Sequence, residues 1–140
     1  MFTVKPVRDK ELQEALAKVF QCEYEPDSYA FLAGNSEDGE TLTSLLGFSQ
    51  FVMHGDGDAV IHNVTSALNC YDEEVMIIMV RTLMNFVYRA GVPVICLADT
   101  ACDEAMAKKL GFRKSEADGR WCIDLKKFYI SPCHYQADEK

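Results

Sequence analysis

The sequence predicts an α+β (mixed α/β) domain in three layers, a central and mostly antiparallel sheet flanked by helices in the order β-α-β-β-β-α-β-α-β. Three observations carry that prediction. Stretches with alternating apolar residues, as in half-buried strands, are separated by stretches with apolar residues at helical spacing. The turn signal His54-Gly55-Asp56-Gly57-Asp58 stands between two strand-like runs and predicts an antiparallel hairpin, because Asp-Gly supplies the positive φ of a primed turn. The continuous apolar run at residues 92–98 reads as an interior strand covered on both sides.

Taken in order, residues 2–7 form a strand that ends near Pro6. Asp9 caps a helix over 10–21, with Leu12, Ala15, Leu16, Val19 and Phe20 as its buried stripe. Glu23-Tyr24-Glu25-Pro26-Asp27 is an acidic loop. Tyr29, Phe31 and Ala33 alternate with smaller residues in a short strand stopped by Gly34-Asn35, and a polar turn covers 36–40. Residues 42–53 make a long strand containing Gly47, joined by the hairpin turn to a strand over 59–67. The turn's aspartates lack EF-hand spacing, so no metal site is predicted.

Residues 72–90 form the longest helix, with Val75, Ile78, Met79, Thr82, Leu83, Phe86 and Val87 as its core stripe. Met76, Ile77, Val80 and Met84 add apolar surface on other faces, which suits either deep burial or a partner such as a second copy in a homodimer. Gly91 stops this helix in the position that favours a left-handed residue. Thr100 and Asp103 resemble a capping box opening another helix, which Gly111 closes. A late strand covers 120–129, with Trp121, Ile123 and Leu125 on alternate positions. Residues 1–130 are expected to be one domain and 131–140 a loose polar tail.

The 140 residues suit one domain with one core, and 49% hydrophobic with 26% charged residues excludes wholesale disorder and fibrous repeats. With 14 Lys plus Arg against 22 Asp plus Glu, the formal charge is -8. Such a surface repels phosphate backbones and anionic lipids, so neither nucleic acid nor membrane is expected as a partner. No apolar run approaches the ~20 residues of a bilayer span, and no basic segment leads into an apolar one at the N-terminus. A cytoplasmic location is therefore expected, with Cys22, Cys70, Cys96, Cys102, Cys122 and Cys133 as free thiols. None of them forms a CxxC or CxxH pair, and the adjacent Cys133-His134 makes a poor metal site. Cys70 and Cys102 stand near helix starts, where the dipole lowers a thiol's pKa. Glu73 and Glu74 oppose that effect at Cys70, leaving Cys102 as the candidate reactive thiol, with an inert packed sulfur as the alternative.

The element order over nearly the whole chain, with Lys109-Leu110-Gly111-Phe112 and Leu46-Gly47-Phe48, resembles the GNAT superfamily of acyl-CoA-dependent N-acetyltransferases. The resemblance implies a loop of the form Arg/Gln-x-x-Gly-x-Gly/Ala at the start of the long helix, whose backbone N–H groups and helix dipole hold the pyrophosphate of coenzyme A. The matching positions are Tyr71, Asp72, Glu73, Glu74, Val75 and Met76, with Thr65, Ser66 and Thr100 as further cofactor-contact equivalents. No glycine is present there, and three consecutive carboxylates are. Carboxylates in a first helical turn stabilise the helix by ~0.3–1 kcal/mol each by satisfying the same dipole and the same N–H groups. Each would also repel a phosphate at ~4 Å by about 1 kcal/mol in bulk water.

The family's Tyr acid matches Ala107, with Tyr71 or Cys102 as substitutes from nearby, and its pantetheine-contacting Asn matches Thr100. His62 lies on the strand where some members carry a Glu base. An imidazole titrating at about 6.5 suits amine deprotonation, and the alternative is a polar residue satisfied by solvent. Glu23, Glu25 and Asp27 would attract a cationic small amine, or form only a solvated loop. Two functions are thus expected from the sequence. One is an acetyltransferase-fold protein with a degenerate cofactor loop, weak or absent activity and a binding or interaction role. The alternative is an active N-acyltransferase that uses acetyl-CoA or another acyl-CoA on a small amine or protein amine.

Overall fold

The computed structural model describes residues 2–55, 57–68 and 71–130. In chain order its elements are β1 (Phe2–Val7), α1 (Lys10–Val19), β2 (Tyr29–Ser36), β3 (Leu42–Met53), β4 (Asp58–Ser66), α2 (Glu73–Arg89), β5 (Val94–Leu97), α3 (Glu104–Leu110), β6 (Arg113–Lys114), β7 (Trp121–Asp124) and α4 (Leu125–Ile130). The seven strands form one sheet in the order β1-β2-β3-β4-β5-β7-β6. Neighbours are antiparallel except β4 and β5, which the α2 crossover makes parallel. The α+β class and mostly antiparallel sheet are as the sequence predicts. Among the described residues, no helix is long and apolar enough to cross a membrane.

The strand pleat sends alternate residues to opposite faces. Ala30, Leu32 and Phe48 pack with Leu16, Ala17 and Phe20 of the α1 side. Phe31, Ala33 and Phe51 pack with α2, α3 and α4 on the other face. The β3–β4 hairpin forms where expected: the His54 N–H donates to the Asp58 carbonyl at 2.7 Å. The Asp58 carboxylate accepts from His54 at 2.9 Å and from Arg120 at 3.3 Å, and these partners hold its pKa below the ordinary range, His54 first. Of this turn, Asp56 lies outside the described residues.

Several expectations are corrected. In α1, Leu16 and Phe20 are buried, but Leu12 and Val19 are 48% and 57% exposed, and Ala15 is exposed too. Their place is taken by Gln13 and Ala17, because Gln13 is drawn inward by hydrogen bonds that an apolar pattern does not register. In α2, Met76, Val80 and Met84 are core residues, whereas Ile78 and Phe86 are 40% and 38% exposed. The sheet and the flanking α3 and α4 cover more of the helix than one stripe, so those three residues offer no partner surface. β2 runs through Gly34 to Ser36, with register shifts beside it. Gly34 is a point of close approach, since a Cβ there would overlap the Ser44 carbonyl.

The late strand stops at Asp124, whose carboxylate accepts from the Lys127 N–H at 3.1 Å and opens α4 instead. α3 is capped by Asp103, which accepts from the Met106 N–H at 2.8 Å, while Thr100 stays exposed in the preceding turn. The thiols are not all free. Cys96 and Cys122, register partners on β5 and β7, form a disulfide, while Cys22 and Cys102 are free. Cys70, Cys133 and His134 lie outside the described residues.

Candidate functional site

The site lies where β4 and β5 part. Asp58 to Ile61 pair with Val94 to Leu97, after which β4 continues alone against β3. At the same place the β3–β4 register shifts: Gln50 faces Asn63 and Phe51 faces Ile61, so His62 has no opposite residue. Such a bulge re-aims a side chain. The His62 Nε2 atom lies 3.9 Å from Glu25 Oε1, with both side chains about one-third exposed (29% and 31%). Beyond the bulge the chain folds back on the open edge. The Ala98 N–H donates to Ile61 O at 2.9 Å, and the Val64 N–H donates to Ala101 O at 3.0 Å.

Buried amides fix the loop that carries Glu25. Gln13 Nε2 donates to Glu25 O at 3.1 Å, Ser28 Oγ at 3.0 Å and Gln50 Oε1 at 2.9 Å. Gln50 Oε1 also accepts from the Glu25 N–H at 3.0 Å, and its Nε2 donates to Glu23 O at 2.8 Å and Asn63 Oδ1 at 3.0 Å. Asn63 Nδ2 donates in turn to Thr65 Oγ1 at 2.9 Å and Phe48 O at 3.1 Å. The Cys22 sulfur accepts from Asn63 Nδ2 at 3.6 Å, and burial pushes its thiol pKa up.

The start of α2 is filled from within. The Asp72 carboxylate accepts from the N–H groups of Glu74 at 3.0 Å and Val75 at 3.3 Å, and its carbonyl accepts from the Met76 N–H at 3.2 Å. Glu73 is bound by Lys109 of α3 at 2.6 Å, which raises the lysine's pKa. Val75 and Met76 point into the core. Tyr71 is exposed, and its pKa is raised first by desolvation and then by Glu73.

The sequence-predicted residues therefore fall in separate places. Tyr71 and Asp72 to Met76 gather at the α2 start, and His62 meets Glu25 at the bulge. Thr65 lies opposite Phe48 and Ser66 opposite Gly47 on the same strand. Thr100 and Cys102 lie in the turn before α3, and Ala107 is buried within that helix. Of the two readings of Cys102, the packed sulfur fits better: desolvation and then the Asp103 charge push its pKa up to about 11. The sequence reading missed Gln13, Gln50 and Asn63. The available signal was an amide in each of two strand stretches bounded by apolar residues, Phe48 to Phe51 and Ile61 to Val64. Among the described residues, no three His, Cys, Asp or Glu side chains are grouped to hold a metal ion.

No protein-family model and no curated protein matches this sequence. Solved structures do. The chain is similar to a GNAT-family N-acetyltransferase from Escherichia coli in complex with CoA, with a TM-score of 0.64 and 10% identity, covering 94% of this chain and 84% of that one. It is similar to the ribosomal-protein-S18-alanine N-acetyltransferase of Escherichia coli, with a TM-score of 0.62 and 16% identity, covering 87% and 89% of the two chains. The aminoglycoside 6'-N-acetyltransferase of Enterococcus faecium gives a TM-score of 0.61 and 14% identity, covering 87% and 96%. At these identities the likeness establishes the GNAT fold.

Proposed function

We propose that this protein keeps the acetyltransferase fold without its grip on a cofactor diphosphate, so that N-acetyltransferase activity is weak or absent and its role is binding. The observation that carries this reading is the Asp72 cap. A diphosphate at the α2 start would need the free N–H groups of the first helical turn, and those of Glu74 and Val75 already donate to the Asp72 carboxylate. Glu74 adds an exposed negative charge, and the cation that an incoming phosphate would seek, Lys109, is bound to Glu73. The residues present do not fit the diphosphate of an acyl-CoA. The bond from Val64 to Ala101 supports the same reading, because it uses a β4 N–H beside the gap between the strands.

Calorimetric titration with acetyl-CoA tests the proposal. No heat is expected with ligand at about 1 mM, and a micromolar dissociation constant would defeat it. Replacing Asp72 and Glu73 with glycine and Glu74 with arginine is expected to create measurable affinity. If affinity stays flat in a folded variant, the carboxylates are not the obstacle.

The pairing of His62 with Glu25 at the bulge favours one alternative, an active N-acyltransferase acting on a small or protein amine. In that reading His62 takes the proton of the attacking amine and Glu25 orients the imidazole. Acetyl-CoA-dependent thiol release that is lost in His62→Gln would establish it.

A further inference from the structure

Away from this site, a groove of about 710 Å³ opens between the end of β1, the start of β2, the end of β3 and the C-terminal half of α2. That volume is within the range of small-ligand pockets, roughly 300–1,000 Å³. Phe86, in its wall, is fourteen residues along the helix from Asp72, about 20 Å at 1.5 Å per residue. The groove is thus distinct from the filled α2 start.

Its floor and wall are aromatic. Phe31 and Phe51 are buried and stacked, with centroids 5.8 Å apart and an interplanar angle of 4°. Tyr29 stacks on Phe51 at 5.6 Å, and Phe86 meets Tyr29 at 5.8 Å with a tilt of 58°. The inner rings are covered, but Tyr29 is 51% exposed and Phe86 more than a third. Two large rings on adjacent elements therefore present an angled surface to water, which a flat apolar body would cover with favourable ring geometry.

The charge around this surface runs against that of the molecule. Arg8 and Lys10 line the groove with a single carboxylate, Asp27, in a chain whose formal charge is -8. The Lys10 ammonium is bound to the Ser28 carbonyl and to Gln13. Arg8 has no side-chain hydrogen bond or ion pair among the described residues. A guanidinium on a residue that lines the same groove as exposed rings suits a planar group that ends in a carboxylate, which it can hold through paired N–H donors. The cationic rim disfavours an amine, which sets this groove apart from an acceptor position.

We propose that the groove between Arg8, Tyr29 and Phe86 is a binding site for a small planar aromatic carboxylate, whose ring lies against Tyr29 and Phe86 and whose anion pairs with Arg8. The inference stands apart from the question of acyl-CoA binding. The test is a titration of the full chain with naphthoate, its neutral alcohol analogue and its ammonium analogue, followed by backbone amide NMR and calorimetry. Naphthoate is expected to bind below about 1 mM and to shift the amides of Arg8, Tyr29 and Phe86, with the alcohol about tenfold weaker and the ammonium weakest. Arg8→Gln, at an exposed position, is expected to reduce naphthoate to the affinity of the alcohol while the circular dichroism spectrum is unchanged. The proposal is overturned if the ammonium binds best, if Arg8→Gln leaves naphthoate affinity intact, or if shifts map elsewhere or are absent. It is also overturned if sedimentation shows a dimer that Tyr29→Ser and Phe86→Ser abolish, since a second copy would then cover the rings.

Discussion

Gln50 is fully buried on β3 and joins four other groups: it accepts from Gln13 and the Glu25 N–H, and donates to Glu23 O and Asn63. A leucine of similar size would take away the acceptor of the Glu25 N–H and the links to Gln13, Asn63 and Glu23 O, at a cost of about 1–3 kcal/mol for each group that water cannot reach. Gln50→Leu is therefore expected to lower unfolding free energy by at least about 2 kcal/mol in urea denaturation. Amide exchange at Glu25 should quicken at the same time, because that N–H loses its acceptor. A loss below about 0.5 kcal/mol would mean that solvent reaches the network and that the loop is held by other contacts. At this scale the sequence shows that Gln50 and Asn63 are amides on strands bounded by apolar residues. It does not show which groups they satisfy, because their partners come from residues far along the chain. His62 was found as a candidate for its chemistry, whereas its aim depends on a one-residue register shift that no local signal marks.

Elements whose ends are set by local chemistry were legible. Asp9 caps α1 as the sequence predicts, Asp72, read there as the first residue of the long helix, is its cap, and Gly91 and Gly111 take the left-handed conformation at φ 90° and 100°. Which helix face is buried was less legible. α2 is apolar nearly all round, and the choice is made by the sheet together with α3 and α4, which periodicity within α2 cannot reveal. The end of β7 was obscured because alternation through Trp121, Ile123 and Leu125 outweighed the Asp124 cap. The two strand glycines separate backbone from side-chain constraint. A methyl group on Gly34 meets the Ser44 carbonyl, which is fixed backbone, whereas one on Gly47 lies 2.6 Å from the flexible tip of Met76. Gly34→Ala is expected to cost about 1–3 kcal/mol and Gly47→Ala less, as read from denaturation midpoints. The reverse order would place the tighter constraint in the α2 face of the core rather than in the β2–β3 contact.

At the scale of the whole molecule, the sheet is extended beyond β5 by the short strands β7 and β6, and the Cys96–Cys122 bond ties β7 to β5. Its closed loop spans α3, with a sequence separation of 26. In the chain-entropy account, a loop of that length restricts the unfolded state by about 3 kcal/mol. For a domain of this size that corresponds to roughly 10 °C in Tm. The prediction is that protein prepared under oxidising conditions melts higher than the same protein held in excess phosphine reductant, by about that interval. Thiol titration of the unfolded, unreduced protein should find two fewer reactive groups than after reduction. In the double substitution Cys96→Ala with Cys122→Ala, the response of Tm to reductant should vanish even though lost packing lowers Tm itself, because Cys96 is almost fully buried. That comparison separates the bond from the packing of its sulfur atoms. If the unreduced protein already titrates with every thiol free, the two strands are held by their backbone hydrogen bonds and core contacts, and reductant will leave the melting curve where it was.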